Sequence, residues 1–298
     1  MSPTDSQLDG IIAALEESVN ALPLLHRMGK VGTPDPVELE MAMERFRWIC
    51  FPGFFGPRTG AQVDSKAFLH AAVSQLRLAL EPQLVLAIRS QQDDIKRAED
   101  LAKTWMMRLF EQMPKLRALL AADAEEALAA DPAARAVEEI ILCYPGLRAM
   151  SAHRLAHALH WCGAPLVPRM IAEISHHQTG IDIHPGASIA AGLFIDHGTG
   201  VVIGETTSIG SRCRIYQGVT LGALSPDLDR GGAVKRGQKR HPTLGNRVVV
   251  YAGASILGGE TVIGDDATIN GGVFLTQSVP SGCIVQAPRP ELVLKTRG

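Results

Sequence analysis

Residues 183–209 read IHPGASIAAGLFIDHGTGVVIGETTSI, and an aliphatic side chain returns in them every six residues. The beat falls on Ile183, Ile189, Ile195 and Val201, slips by two, and resumes on Ile203, Ile209, Ile215 and Leu221. After a polar interruption it continues on Leu244, Val250 and Ile256, slips by one, and closes on Ile263, Ile269 and Leu275. Gly, Ala, Ser, Thr, Asn and Asp fill the intervals, residues suited to tight bends and left-handed backbone. A six-residue repeat is the signature of a parallel β-helix, in which each hexapeptide forms one flat face and three faces complete a coil. The aliphatic side chain points into a shared core, and stacked coils satisfy one another's backbone groups. A sandwich of alternating strands would instead show a period of two, with turn signals roughly every 8–12 residues.

The composition suits a core of this kind: of 298 residues, 46% are hydrophobic but only 5% aromatic. A net charge of −2 gives no reason to expect nucleic acid or an anionic membrane as a general partner. No continuous apolar run reaches the roughly 18 residues of a membrane span, and the polar N-terminus does not read as a signal peptide. Cys50, Cys143, Cys162, Cys213 and Cys283 are odd in number and never spaced Cys-x-x-Cys. That pattern predicts reduced, packed thiols in a cytoplasmic protein, without disulfides or a zinc site.

Upstream of the repeat the chain reads as helical. Apolar residues recur at helical spacing over Ser6–Met28, Pro36–Phe51, Lys66–Ser90, Asp93–Leu120, Pro132–Leu142, Ser151–Trp161 and Pro165–His177. Pro82 and Pro114 predict kinks or splits in the third and fourth of these. Asp131 before Pro132 reads as an N-cap followed by an N1 proline. The expected fold class is therefore α+β: an all-helical domain over residues 1–179, then a parallel β-helix over 180–285 with a protruding loop at 223–242, and a tail at 286–298.

His153, His157 and His160 share one helical face, but with no Glu after the first His, packing or inter-subunit hydrogen bonding is the better reading than a metal site. Chemistry gathers instead in the repeat. Asp182 and His197 are three residues short of a full coil apart, which places them on neighbouring coils where they could meet at a corner. A carboxylate beside an imidazole fixes its tautomer and raises its basicity, as a general base requires. In the interrupted stretch, Lys235, Arg236, Lys239, Arg240 and His241 outweigh Asp227 and Asp229. The stretch reads either as a solvated loop or as a basic cover over an anionic substrate or phosphorylated cofactor.

The ordered set Asp182-Ile-His-Pro185, Asp196-His-Gly-Thr-Gly-Val-Val-Ile-Gly-Glu-Thr206, Val219-Thr-Leu-Gly222 and Arg240-His-Pro242 resembles serine O-acetyltransferase, the hexapeptide-repeat enzyme of cysteine biosynthesis. The resemblance covers roughly residues 131–285. It implies a left-handed β-helix, acetyl-CoA as donor, L-serine as acceptor, no metal, and a homotrimer or a dimer of trimers. It further implies His197 as catalytic base, oriented by Asp182. Asp131 and Asp196 would hold the serine amino group, Arg240 and His241 its carboxylate, with Glu205 behind them. Gly222, Ala223, Ala252 and Gly271 would line the donor groove. The chain departs from the family in a longer loop before Arg240 and in Leu221-Gly-Ala223 where a double glycine is common. It also ends Leu294-Lys-Thr-Arg-Gly298, without the terminal isoleucine on which the association with cysteine synthase relies, so that complex is not expected. Another hexapeptide acyltransferase, acting on a sugar, homoserine or another amino acid, remains the alternative.

Overall fold

The structure, a computed structural model, describes residues 5–27, 29–57, 64–92, 94–224 and 237–288. Its helices are α1 (Asp5–Ala21), α2 (Pro36–Cys50), α3 (Ser65–Arg89), α4 (Ile95–Ala130), α5 (Val137–Cys143), α6 (Pro145–Trp161) and α7 (Val167–Thr179). On α4 the residues at three- and four-residue spacing, from Ala98 through Met106, Leu109, Leu116 and Leu120 to Ala127, are buried. On α3 the same holds for Leu76, Leu80, Leu84 and Ala87. By length and composition α3 could cross a membrane, yet this stripe packs among the helices, chiefly α2 and α4.

Pro82 and Pro114 do not split their helices, which run through both positions. An interior proline costs about 3 kcal/mol. Each large apolar side chain buried beside it returns about 1.5–3 kcal/mol, and Leu80, Leu84, Met113 and Leu116 flank the two sites. The boundary at Asp131 also differs from expectation. Asp131 is the C-cap of α4, not the N-cap of a helix at Pro132; residues 131–136 form a turn and α5 begins at Val137. Proline marks a helix stop as readily as a start. The helix expected from Ser151 starts at Pro145, and that expected over 6–28 is α1 followed by a separate 3-10 turn at Pro23–Leu25.

α7 ends at Gly180 in the left-handed conformation (φ 70°), and the coils begin at once. One face stacks β1 (Ile181–Ile183), β4 (Val201–Ile203), β7 (Thr220–Gly222), β10 (Ser255–Leu257) and β13 (Phe274–Leu275). The next face holds β2 (Ser188–Ile189), β5 (Ser208–Ile209), β8 (Thr243–Leu244) and β11 (Val262–Ile263). The third holds β3 (Phe194–Ile195), β6 (Arg214–Ile215), β9 (Val249–Val250), β12 (Thr268–Ile269) and β14 (Ile284–Val285). Neighbours pair in parallel, with the repeating aliphatics in register: Ile183 with Ile203, Ile195 with Ile215, Ile256 with Leu275. The α+β organisation is thus the one expected.

The slips in the beat have physical sites. Ile195 pairs with Ile215 and Val202 with Thr220, so the two extra residues of the first coil fall in the turn carrying Asp196 and His197. The single extra residue falls between β10 and β11, where a Cβ on Gly259 would lie 2.3 Å from the Lys239 carbonyl oxygen. Between β7 and β8, residues 225–236, with Asp227, Asp229, Lys235 and Arg236, lie outside the described residues, as do 289–298 of the tail.

α4 and α6 lie against the first coil. Asp123, 2% exposed, accepts Arg154 Nη2 at 3.1 Å and the backbone N–H groups of Gly192 and Leu193 at 2.9 Å each. Arg154 also donates to the carbonyls of Ala190, at 2.7 Å, and Ile189. One turn on, buried Glu126 accepts from Arg212 at 3.0 Å and Arg214 at 2.9 Å.

Candidate active site

The predicted site residues fall into two clusters at opposite edges of the β1–β4–β7 face. The first surrounds the expanded turn between β3 and β4. His197 adopts φ 56°, rare for a residue with a side chain, between Asp196 and Gly198 (φ 81°). Such strain collects where a fold must aim a side chain. The imidazole is largely exposed, with Nε2 3.8 Å from Asp196 Oδ2. Asp131 comes to the same place from the end of α4. Its Oδ2 accepts the Tyr144 hydroxyl at 2.5 Å and its Oδ1 the Ala133 N–H at 2.8 Å. These two donors, with a smaller contribution from the His197 charge, hold Asp131 below the usual carboxylate range. Tyr216 and Tyr251 stack on the next coils with centroids 5.0 Å apart; burial, then Tyr251 and Asp196, push the Tyr216 hydroxyl upward. Gly146 lets the start of α6 touch this turn, since a Cβ there would lie 2.1 Å from the Ile195 carbonyl oxygen.

The second cluster sits between the first face and the next. Glu205 is ion-paired with Arg240. Burial opposes the Glu205 charge, but the Arg240 hydrogen bond and charge outweigh it and keep this carboxyl low. Thr206 is the hub. Its Oγ1 accepts the backbone N–H groups of Arg240 at 2.9 Å and His241 at 3.0 Å, and its own N–H donates to His241 Nδ1 at 3.1 Å. That fixes the His241 proton on Nε2. Burial first, and then Arg240, push the His241 imidazole down to about 4, so it is neutral at pH 7. Gly204 makes room for the ring: a Cβ there would lie 2.0 Å from His241 Cδ2.

Asp182 stands between the clusters, on β1 and level with Val202. No hydrogen bond or ion pair joins Asp182 to His197 among the described residues. The donor-groove residues divide likewise: Ala252 and Gly271 stack at the His197 corner, whereas Gly222 and Ala223 stand at the Arg240 edge. On α6, His157 donates through Nδ1 to the Pro185 carbonyl at 2.8 Å, and His160 packs against His184 with centroids 6.2 Å apart. His153 is buried, and neither ring nitrogen has a hydrogen-bond partner among the described residues. Tyr144 and Thr206 were not singled out from sequence. A threonine among many in the repeat carries no mark, and the Tyr144 contact exists only because the short α5 folds the chain back.

No family model matches the chain. Among curated proteins it is 41% identical over 297 residues to a plasmid-borne serine acetyltransferase of Synechococcus elongatus, covering 93% of this chain and 90% of that protein. A serine acetyltransferase of Helicobacter pylori is 47% identical over 173 residues, 58% of this chain and 95% of that protein. Among solved structures, serine acetyltransferase isoform 3 of Entamoeba histolytica in complex with cysteine superposes with TM-score 0.74 at 34% identity, over 91% of this chain and 88% of that one. Serine acetyltransferase 1 of the same organism with L-cysteine gives TM-score 0.73 at 34% identity, over 94% and 99%.

Proposed function

This chain belongs to the serine acetyltransferase family, and from that premise we propose that its two clusters together carry the acetyl group of acetyl-CoA to the hydroxyl of L-serine, giving O-acetylserine and CoA for cysteine biosynthesis. The observation that carries the assignment is the polarity of the site. One corner offers two carboxylates and an imidazole, Asp131, Asp196 and His197. The other offers a guanidinium and a neutral imidazole N–H, Arg240 and His241. A zwitterionic α-amino acid with a side-chain hydroxyl presents the complement: ammonium to the first, carboxylate to the second, hydroxyl to His197. The guanidinium fork has donors enough for both Glu205 and a substrate carboxylate.

His197 takes the hydroxyl proton as the serine oxygen attacks the thioester carbonyl, and a tetrahedral oxyanion forms. Its collapse expels the CoA thiolate, which the imidazolium protonates. No acyl-enzyme is needed when both substrates share one groove. Asp182 orients the imidazole once substrate and neighbouring subunit are in place. The pantetheine arm runs between two protomers, along Gly222 and Ala223 of one and Ala252 and Gly271 of the next.

Because the two corners lie at opposite edges of one face, with no contact between them among the described residues, each is half of a site. In a homotrimer the Asp131–His197 corner of one protomer meets the Arg240–His241 corner of the next. The free cysteines fit a reducing, cytoplasmic setting. CoA release from acetyl-CoA across L-serine, L-homoserine and sugar acceptors tests the assignment. L-Serine should be the fastest acceptor, and faster release with a sugar, which has neither ammonium nor carboxylate, overturns it.

A further inference from the structure

Asp131 has no neighbour on its own helix to aim it, because α4 ends there. The residue that aims it comes from elsewhere. Tyr144 closes α5, with its N–H on the Ile140 carbonyl at 3.3 Å, and opens α6, with its carbonyl receiving the Arg148 N–H at 3.3 Å. Its ring lies against Phe194 of β3, centroids 6.5 Å apart, immediately before Asp196 and His197. Two helix ends and a strand therefore hold this phenol, and its hydroxyl meets Asp131 Oδ2 at 2.5 Å. With Oδ1 on the Ala133 N–H, the carboxylate cannot rotate, and its remaining lone pairs are presented together with Asp196 at the His197 turn.

We propose that Tyr144 is a positioning residue for the acceptor's ammonium group, acting through Asp131. The inference rests on the functional reading above. A hydroxyl that donates to a carboxylate stabilises its ionised form, so the amine site stays charged and fixed while the acceptor enters.

Tyr144→Phe keeps the ring on Phe194 and removes only the donor. The KM for L-serine should rise about tenfold, the usual worth of such a hydrogen bond, while kcat and the acetyl-CoA KM hold. In an Asp131→Asn background the same substitution should add nothing to KM. An unchanged KM, a loss confined to kcat, or an undiminished KM effect in the Asp131→Asn background overturns the inference. Wild-type turnover measured alongside separates the two ideas: an active wild type with an indifferent variant sinks the role of Tyr144 alone, whereas an inactive wild type sinks the functional reading. The Asp131 carboxyl titration, followed by NMR in both proteins, decides the role of Tyr144 independently of turnover. An upward move in the variant supports it, and a titration at the same pH overturns it.

Discussion

At the scale of single residues, the site depends on one imidazole in an unusual backbone conformation. His197→Ala should lower kcat with L-serine by roughly two to four orders of magnitude, the usual worth of a general base. Asp182→Asn should cost less, since it removes orientation and not the proton acceptor. Far-UV circular dichroism should be unchanged in both, because neither side chain belongs to the aliphatic core. Near-normal turnover of the His197 variant would remove it from the chemistry. The sequence pointed to His197 because acidic and imidazole groups crowd one short stretch. It misplaced Asp131 at the start of a helix because Asp-Pro has the same composition at either end. It could not show Tyr144 at all, since that contact depends on how α5 closes.

At the scale of elements, α6 carries a second testable feature. His153 is buried, and burial, then the charges of Arg154, His157 and His184, push its imidazole well below 6.5. The folded protein therefore binds fewer protons here than the unfolded chain, so stability falls as pH drops through the unfolded value near 6.5. His153→Leu should flatten the stability–pH curve just below the unfolded value, by up to about 1.4 kcal/mol per pH unit. It also removes two unpartnered nitrogens, so stability at pH 7 should not decline. Urea melts at several pH values read both effects, and an unchanged slope counts against the assignment. Most helices and the coils were readable from periodicity because they bury one face; α1 follows the same spacing, yet its Leu8, Ile11, Ile12 and Leu15 are exposed. Of the kinks or splits expected at Pro82 and Pro114, no split occurs, because local propensity takes no account of the leucines and methionine packed on either side.

At the scale of the whole molecule, two predictions concern how parts are joined. Asp123→Ala strands the buried Arg154 charge and should cost about 3–5 kcal/mol, partly recovered in Asp123→Ala/Arg154→Leu. Calorimetric unfolding of both proteins checks this, and a double variant no more stable than the single one refutes it. The second concerns the divided site. Co-assembly of inactive His197→Ala chains with inactive Arg240→Leu chains should restore about a quarter of wild-type activity, the chance that a rotational trimer places the intact halves face to face. No recovery would mean that one chain holds the entire site. Nothing in the sequence announced the Asp123–Arg154 junction, since a lone Asp and a lone Arg on amphipathic helices read as solvated.

That junction also bears on how one end of the coil stack is closed. A stack of parallel coils presents at its first rung the same unsatisfied backbone groups that every later rung uses to recruit the next. Here Asp123 takes the amide hydrogens of Gly192 and Leu193, while Arg154 and His157 supply donors to Ile189, Ala190 and Pro185. These three side chains counterfeit a rung that does not exist. They act as a chain terminator built from helix, occupying the backbone groups of residues 185–193 that another coil would otherwise take.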